Sequence, residues 1–143
     1  MIVSQILREK GNEVLIASPD ATLFETAKVL SANRIGALLV LNRRGIIAGI
    51  ISERDIVRAI AELGPDALTM PVASRMTRDV ATCDENDPLE IVMETMMRCR
   101  FRHMPVLRNG QVTGIISTTD VASTRIAETM REAQALKEYI AAS

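Results

Sequence analysis

The chain has 143 residues, 48% apolar and 24% charged, which is the make-up of a globular protein long enough for one modest core. Seventeen Lys and Arg against 18 Asp and Glu leave a net charge of −1, so nothing points to nucleic acid or to a membrane surface. The apolar runs are too short to span a bilayer, the first residues lack the layout of a secretion signal, and Cys83 and Cys99 make neither a disulfide framework nor a zinc pair; a cytoplasmic protein is expected.

Residues 4–10 predict a short helical arm ended by Gly11-Asn12, and residues 14–17 a brief strand. Thr22-Leu23-Phe24-Glu25 has the layout of a capping box, after which Leu23, Ala27 and Leu30 mark one apolar face of a helix that stops near Asn33. The unbroken apolar run 37–41 predicts a strand buried on both faces. Asn42-Arg43-Arg44-Gly45 predicts a turn with its glycine at positive φ. Residues 46–52 pair back as the next strand, and a helix with apolar positions Ile56, Val57, Ile60 and Leu63 follows. The order is β-α-β-β-α. Gly64-Pro65-Asp66 then breaks the helix, and a linker runs to about Ser74.

The pattern restarts. Residues 80–83 match 14–17, and Asp87-Pro88 predicts a capped helix with proline at its first position. Leu89, Met93 and Met96 fall on Leu23, Ala27 and Leu30 at an offset of 66, and residues 104–107 repeat 38–41 at the same offset. The turn Arg108-Asn109-Gly110 is one residue shorter than its counterpart, an indel that a surface turn tolerates. In the last helix Ile126, Met130, Ala133, Leu136 and Ile140 continue a 3–4 spacing, so it is expected to lean on something besides its own half. The expected division is a first repeat with its arm over residues 1–66, and linker, second repeat and extended helix over residues 67–143.

One stretch organises both halves. Gly49-Ile50-Ile51-Ser52-Glu53-Arg54-Asp55 returns 65 residues later as Gly114-Ile115-Ile116-Ser117-Thr118-Thr119-Asp120. Each copy is a strand-to-helix corner, and the repetition is the strongest signal in the chain. Ser-x-x-Asp fits a helix capping box, with Asp where Glu or Gln is commoner. It also fits a nucleotide site. A helix N-terminus offers N–H groups and partial positive charge to phosphate, an aspartate can accept from both ribose hydroxyls, and a glycine lets backbone close on a flat base. Two copies, each keeping Gly and Asp, favour the second reading.

The duplicated β-α-β-β-α unit ending in Gly-Ile-Ile-Ser-x-x-Asp resembles the CBS domain, named after cystathionine β-synthase, in a tandem pair (a Bateman module). The resemblance runs from about Ser4 to Leu136 and takes in Arg34-Ile35-Gly36-Ala37-Leu38 and Phe101-Arg102-His103-Met104-Pro105-Val106. It implies an α/β fold of two CBS repeats related by a pseudo-twofold axis, with clefts between them. It also implies a regulatory module that binds an adenosine ligand: AMP, ADP, ATP, NADH or S-adenosylmethionine. By that resemblance Asp55 and Asp120 would hold ribose, with Ser52 and Ser117 near ribose and phosphate. Arg102 and His103 would face phosphate in the second repeat. The first repeat has Gly36-Ala37 there, and Arg54 would compensate. Such pairs commonly form homodimers, and the regulated protein would act in trans.

Other residues suggest less. His103 is the only histidine and no ligands cluster around it, so no metal is expected. Cys99 lies four residues before His103, but the helix should end between them, which breaks any nucleophile–base pairing. Met93, Met96, Met97 and Met104 read as soft core packing, and Arg98, Arg100 and Arg102 alternate with Cys99 and Phe101 as a largely solvated stretch. No catalytic residue is expected. The rival readings are a ligand-independent dimerisation module, and an enzyme that no paired carboxylates, P-loop or CxxC supports.

Overall fold

Five helices and two three-stranded sheets form along the chain in an order that repeats. A computed structural model of the protein describes residues 1–143. The elements are α1 (Val3–Lys10), β1 (Ile16–Ala17), α2 (Leu23–Asn33), β2 (Ala37–Leu41), β3 (Ile47–Ser52), α3 (Glu53–Leu63), β4 (Cys83–Asp84), α4 (Leu89–Cys99), β5 (His103–Arg108), β6 (Gln111–Ser117) and α5 (Thr118–Ala142). They fall into two compact units, Glu13–Ala81 and Met1–Asn12 with Thr82–Ser143.

In the unit Glu13–Ala81 the sheet order is β1-β2-β3, with β1 parallel and β3 antiparallel to β2. The Thr22 hydroxyl accepts from the Glu25 N–H at 3.1 Å and the Glu25 carboxylate accepts from the Thr22 N–H at 3.2 Å, so the capping box fixes where α2 begins. The β2–β3 turn is closed by Asn42, whose side-chain oxygen accepts from the N–H groups of Arg44 and Ile46, with Gly45 at φ 76°. Leu23, Leu30, Leu38, Val40, Ile51 and Ile56 form the core. The expected linker is no slack connection. It folds into two 3₁₀ turns, Gly64–Thr69 and Val72–Ser74, and buries Ala67 and Val72 completely.

In the other unit the sheet order β4-β5-β6 has the same directions, and the β-bulge between Val40 and Leu41 recurs between Val106 and Leu107. Leu89, Met96, Met104, Val106, Ile116 and Val121 are buried. Boundaries differ from the sequence expectation in both units; β1, for one, is Ile16–Ala17 instead of residues 14–17. Strand β4 is Cys83–Asp84 instead of residues 80–83, because the pairing that defines it runs Cys83 to Val106 and Asp84 to Leu107. Pro88 is the N-cap of α4 and not its first helical residue, with extended ψ of 144° and no side-chain cap. The Asp87 carboxylate accepts instead from the Asp84 N–H at 2.9 Å and so tightens the preceding loop.

Residues 1–12, which precede the first repeat, belong structurally with the second. The Val3 N–H donates to Asp87 O, the Ser4 N–H to Glu85 O, and the Leu89 N–H to Met1 O. Each of these bonds has a twin in the first unit: Val72 N–H to Ala21 O, Ala73 N–H to Pro19 O, and Leu23 N–H to Met70 O. Val3-Ser4-Gln5-Ile6-Leu7 and Val72-Ala73-Ser74-Arg75-Met76 are therefore a second internal repeat, and Val3 and Val72 are both fully buried. The segment that leads into each repeat docks on the other repeat's elements.

That docking explains the motif glycines. A Cβ on Gly49 would stand 2.6 Å from Thr77 O and 2.8 Å from Met76 Sδ, and one on Gly114 would stand 2.6 Å from Leu7 Cδ2. The glycines make room for a crossing segment, where the sequence had suggested room for a base.

Candidate functional site

Both corners are built alike. Ser52 and Ser117 are N-caps in extended conformation, each accepting at Oγ from the N–H of the aspartate three residues on, at 3.3 and 3.1 Å. In return Oδ2 of Asp55 accepts from the Ser52 N–H at 2.9 Å, and Oδ2 of Asp120 from the Ser117 N–H at 2.8 Å. The Ser52 hydroxyl also donates to Asp55 Oδ2 at 3.0 Å. The first N–H of each helix is taken as well: Glu53 donates to Gly36 O and Thr118 to Arg102 O, both at 2.9 Å. The capping-box reading is thus physically realised, and it engages one carboxylate oxygen of each aspartate. The second oxygen, Oδ1, takes none of these bonds, and for Asp55 its nearest cation is Arg58 at 3.8 Å. A carboxylate has about four acceptor sites, so each corner retains capacity to receive hydroxyl donors.

The strand register brings the remaining candidates to these corners. His103 pairs with Ser117 across β5 and β6, and Arg102, just before β5, lies against the start of α5 through its carbonyl. Arg102 is exposed and His103 half-buried. At the first corner Ala37 pairs with Ser52, and Arg54 is exposed on the first turn of α3. A cavity of about 470 Å³ opens beside this corner, lined by Ala27, Leu30, Arg34, Gly36, Glu53 and Val57 among others. Its wall includes neither Ser52 nor Asp55.

One neighbour of the second corner was not foreseen. The Lys10 ammonium, at the end of α1, donates to Asp120 Oδ2 at 2.7 Å and to Ile115 O at 2.8 Å. Burial works to raise the Asp120 pKa, but hydrogen bonds from Lys10 and Ser117 and the Lys10 charge outweigh it and hold the carboxyl below its usual value. The signal in the sequence was the Val-x-x-x-Leu match to Val72-x-x-x-Met76, which tells where the arm docks.

Elsewhere, burial and the nearby carboxylates of Asp87 and Asp84 push the Cys83 thiol up to about 12, so it carries no thiolate at neutral pH. Cys99 is the last residue of α4 and His103 the first of β5. No group of three or more His, Cys, Asp or Glu side chains is placed to hold a metal, and no helix is long and apolar enough to cross a membrane.

The repeated β-α-β-β-α unit with its Gly-x-x-Ser-x-x-Asp corner defines a class. A family model for the CBS domain matches residues 3–62 and 72–127. The chain belongs to the CBS-domain family and carries two copies of the domain. It is similar to the CBS-domain containing protein ATU1752 from Agrobacterium tumefaciens, at 40% identity and a TM-score of 0.84 over 87% of this chain and 99% of that one. Two further structures hold ligands. The CBS domain protein PAE2072 from Pyrobaculum aerophilum, complexed with AMP, is 28% identical with a TM-score of 0.74, over 84% of this chain and 89% of that one. The CBS domain pair of protein MJ0100, in complex with 5′-methylthioadenosine and S-adenosyl-L-methionine, is 26% identical with a TM-score of 0.79, over 90% of this chain and 98% of that one.

Proposed function

We propose that this protein is a regulatory module that binds an adenosine ligand at its two corners and acts on a separate partner protein. Asp55 and Asp120 would each receive the ribose hydroxyls, with Ser52 and Ser117 beside them. Arg54 would face phosphate at the first corner, and Arg102 and His103 at the second. The observation that carries the reading is the split use of each carboxylate: Oδ2 locks the helix start while Oδ1 stays out of the cap. AMP, ADP, ATP and NADH share the ribose and adenine this arrangement would hold. The ligands seen in the AMP-bound and methylthioadenosine-bound relatives are of the same class. The module is regulatory and not catalytic in this reading, and a homodimer is its expected assembly.

Calorimetric titration with AMP, ATP and NADH, and with GMP as the contrast, tests it. Asp→Asn at residue 55 or 120 keeps a cap acceptor but removes the charge, so helix starts should survive while ligand hydrogen bonds weaken. Each substitution should cost its own site roughly 10- to 100-fold in affinity, since a charge-assisted bond contributes about 1.5–3 kcal/mol. Equal binding by the parent chain and both variants overturns the proposal. The rival, a ligand-independent interaction module, draws on the capping bonds, which account for both aspartates without a ligand.

A further inference from the structure

The two corners differ in charge, and the net difference comes from the crossing segments and the strand that precedes each corner. At the second corner the Lys10 ammonium is bonded to the motif carboxylate itself. Counting from Val3 and Val72, the position equivalent to Lys10 is Asp79, so the first corner's crossing segment supplies an acid where the second's supplies a base. The helix starts do not offset this: Glu53 and Arg54 balance each other on α3, and Thr118 and Thr119 on α5 are neutral. Arg102 and His103 lie at the second corner, and Gly36 and Ala37 at the first.

We infer that Lys10 is a specificity-determining residue of the second corner, making it select phosphorylated adenosine ligands over uncharged ones. The inference rests on the adenosine-binding reading above. An ammonium has three N–H donors, and Lys10 spends two, on Ile115 O and Asp120 Oδ2. The third remains for an anion. Asp120 Oδ1 is likewise outside both the cap and the Lys10 bond, so a ribose can be received without displacing Lys10. A phosphate carried by that ribose then lies within reach of an ammonium already fixed by two hydrogen bonds. The placement is rigid at its root. Leu7, one turn earlier on α1, is buried over Gly114, and Gly11 at φ 98° ends the helix directly after Lys10. Without Lys10 the bare Asp120 carboxylate would repel a phosphate; with it the pair is neutral and offers a cation.

The test is calorimetric titration of AMP and of adenosine into the full chain carrying Asp55→Asn, so that the second corner dominates. Lys10→Met, which keeps the aliphatic stem, should weaken AMP by about tenfold and leave adenosine within about twofold. Lys10→Arg should keep the preference for AMP, and unfolding midpoints confirm that each variant is folded. If Lys10→Met weakens both ligands alike, or neither, Lys10 is only a tie between the arm and β6, and the inference falls. If the Asp55→Asn chain binds neither ligand while the unmodified chain does, the second corner is no ligand site and the inference falls with it. If the unmodified chain binds neither, the adenosine-binding reading itself fails.

Discussion

Gly49 and Thr77 meet backbone to backbone. The Thr77 carbonyl accepts from the Ile50 N–H at 3.0 Å, the Thr77 N–H returns a bond to Ile50 O at 2.8 Å, and no side-chain atom could stand on residue 49 without entering that carbonyl. Gly114 is in the same position of the motif but faces the tip of the Leu7 side chain, which can turn aside. Gly49→Ala should therefore cost about 2–3 kcal/mol and Gly114→Ala about 1 kcal/mol or less, within the range known for overpacking. Denaturant unfolding of the two variants measures this. Equal costs would show that the Met76–Thr77 crossing shifts as readily as a leucine methyl.

The Lys10–Asp120 pair makes part of the stability pH-dependent. The Asp120 pKa is lowered in the folded chain, so its contribution is fully present above the unfolded carboxyl pKa of about 3.9 and is lost as pH falls through the lower folded value. The pair is partly exposed, which limits it to about 0.5–1 kcal/mol. Parent and Lys10→Met should differ by that amount in thermal unfolding near pH 6 and converge as the pH falls through the lowered Asp120 value. A gap that persists at the acid end would place the cause in lost packing of the lysine stem.

Helix α5 carries Ile126, Met130, Leu136 and Ile140 with more than half of each side chain's residue exposed, on a helix of 25 residues. We expect a second copy of the chain to cover part of this face. Light scattering should report a dimer at micromolar concentration, and Leu136→Glu with Ile140→Glu should give a monomer with unchanged helix content. A parent chain that is monomeric at tens of micromolar contradicts the expectation.

Most of the fold was legible because its signals are local. The capping boxes at Thr22, Ser52 and Ser117, the run 37–41 and the glycine of the β2–β3 turn each act within a few residues. What failed was set by pairing at a distance. The two residues of β4 are chosen by Val106 and Leu107, and no pattern within residues 80–84 can announce that. The candidate site divides the same way. Asp55 and Asp120 stand out through repetition, but Lys10 reaches Asp120 across 110 residues of sequence, and Gly114 gives no hint that it accommodates Leu7 instead of a ligand.

The exchange of leading segments also bears on the order in which the chain can assemble. Residues 13–81 are contiguous and hold every strand and helix of their unit, so that unit can close while the rest is still being synthesised. Residues 1–12 have no such freedom, since Gly114 and Asp120, which receive Leu7 and Lys10, emerge more than a hundred residues after them. An amphipathic arm with three buried apolar positions must wait, unsatisfied, through most of translation. Once residues 13–81 have folded, however, the gap the arm must close is spanned by an ordered body and no longer by a loose chain, which lowers the entropy lost on docking.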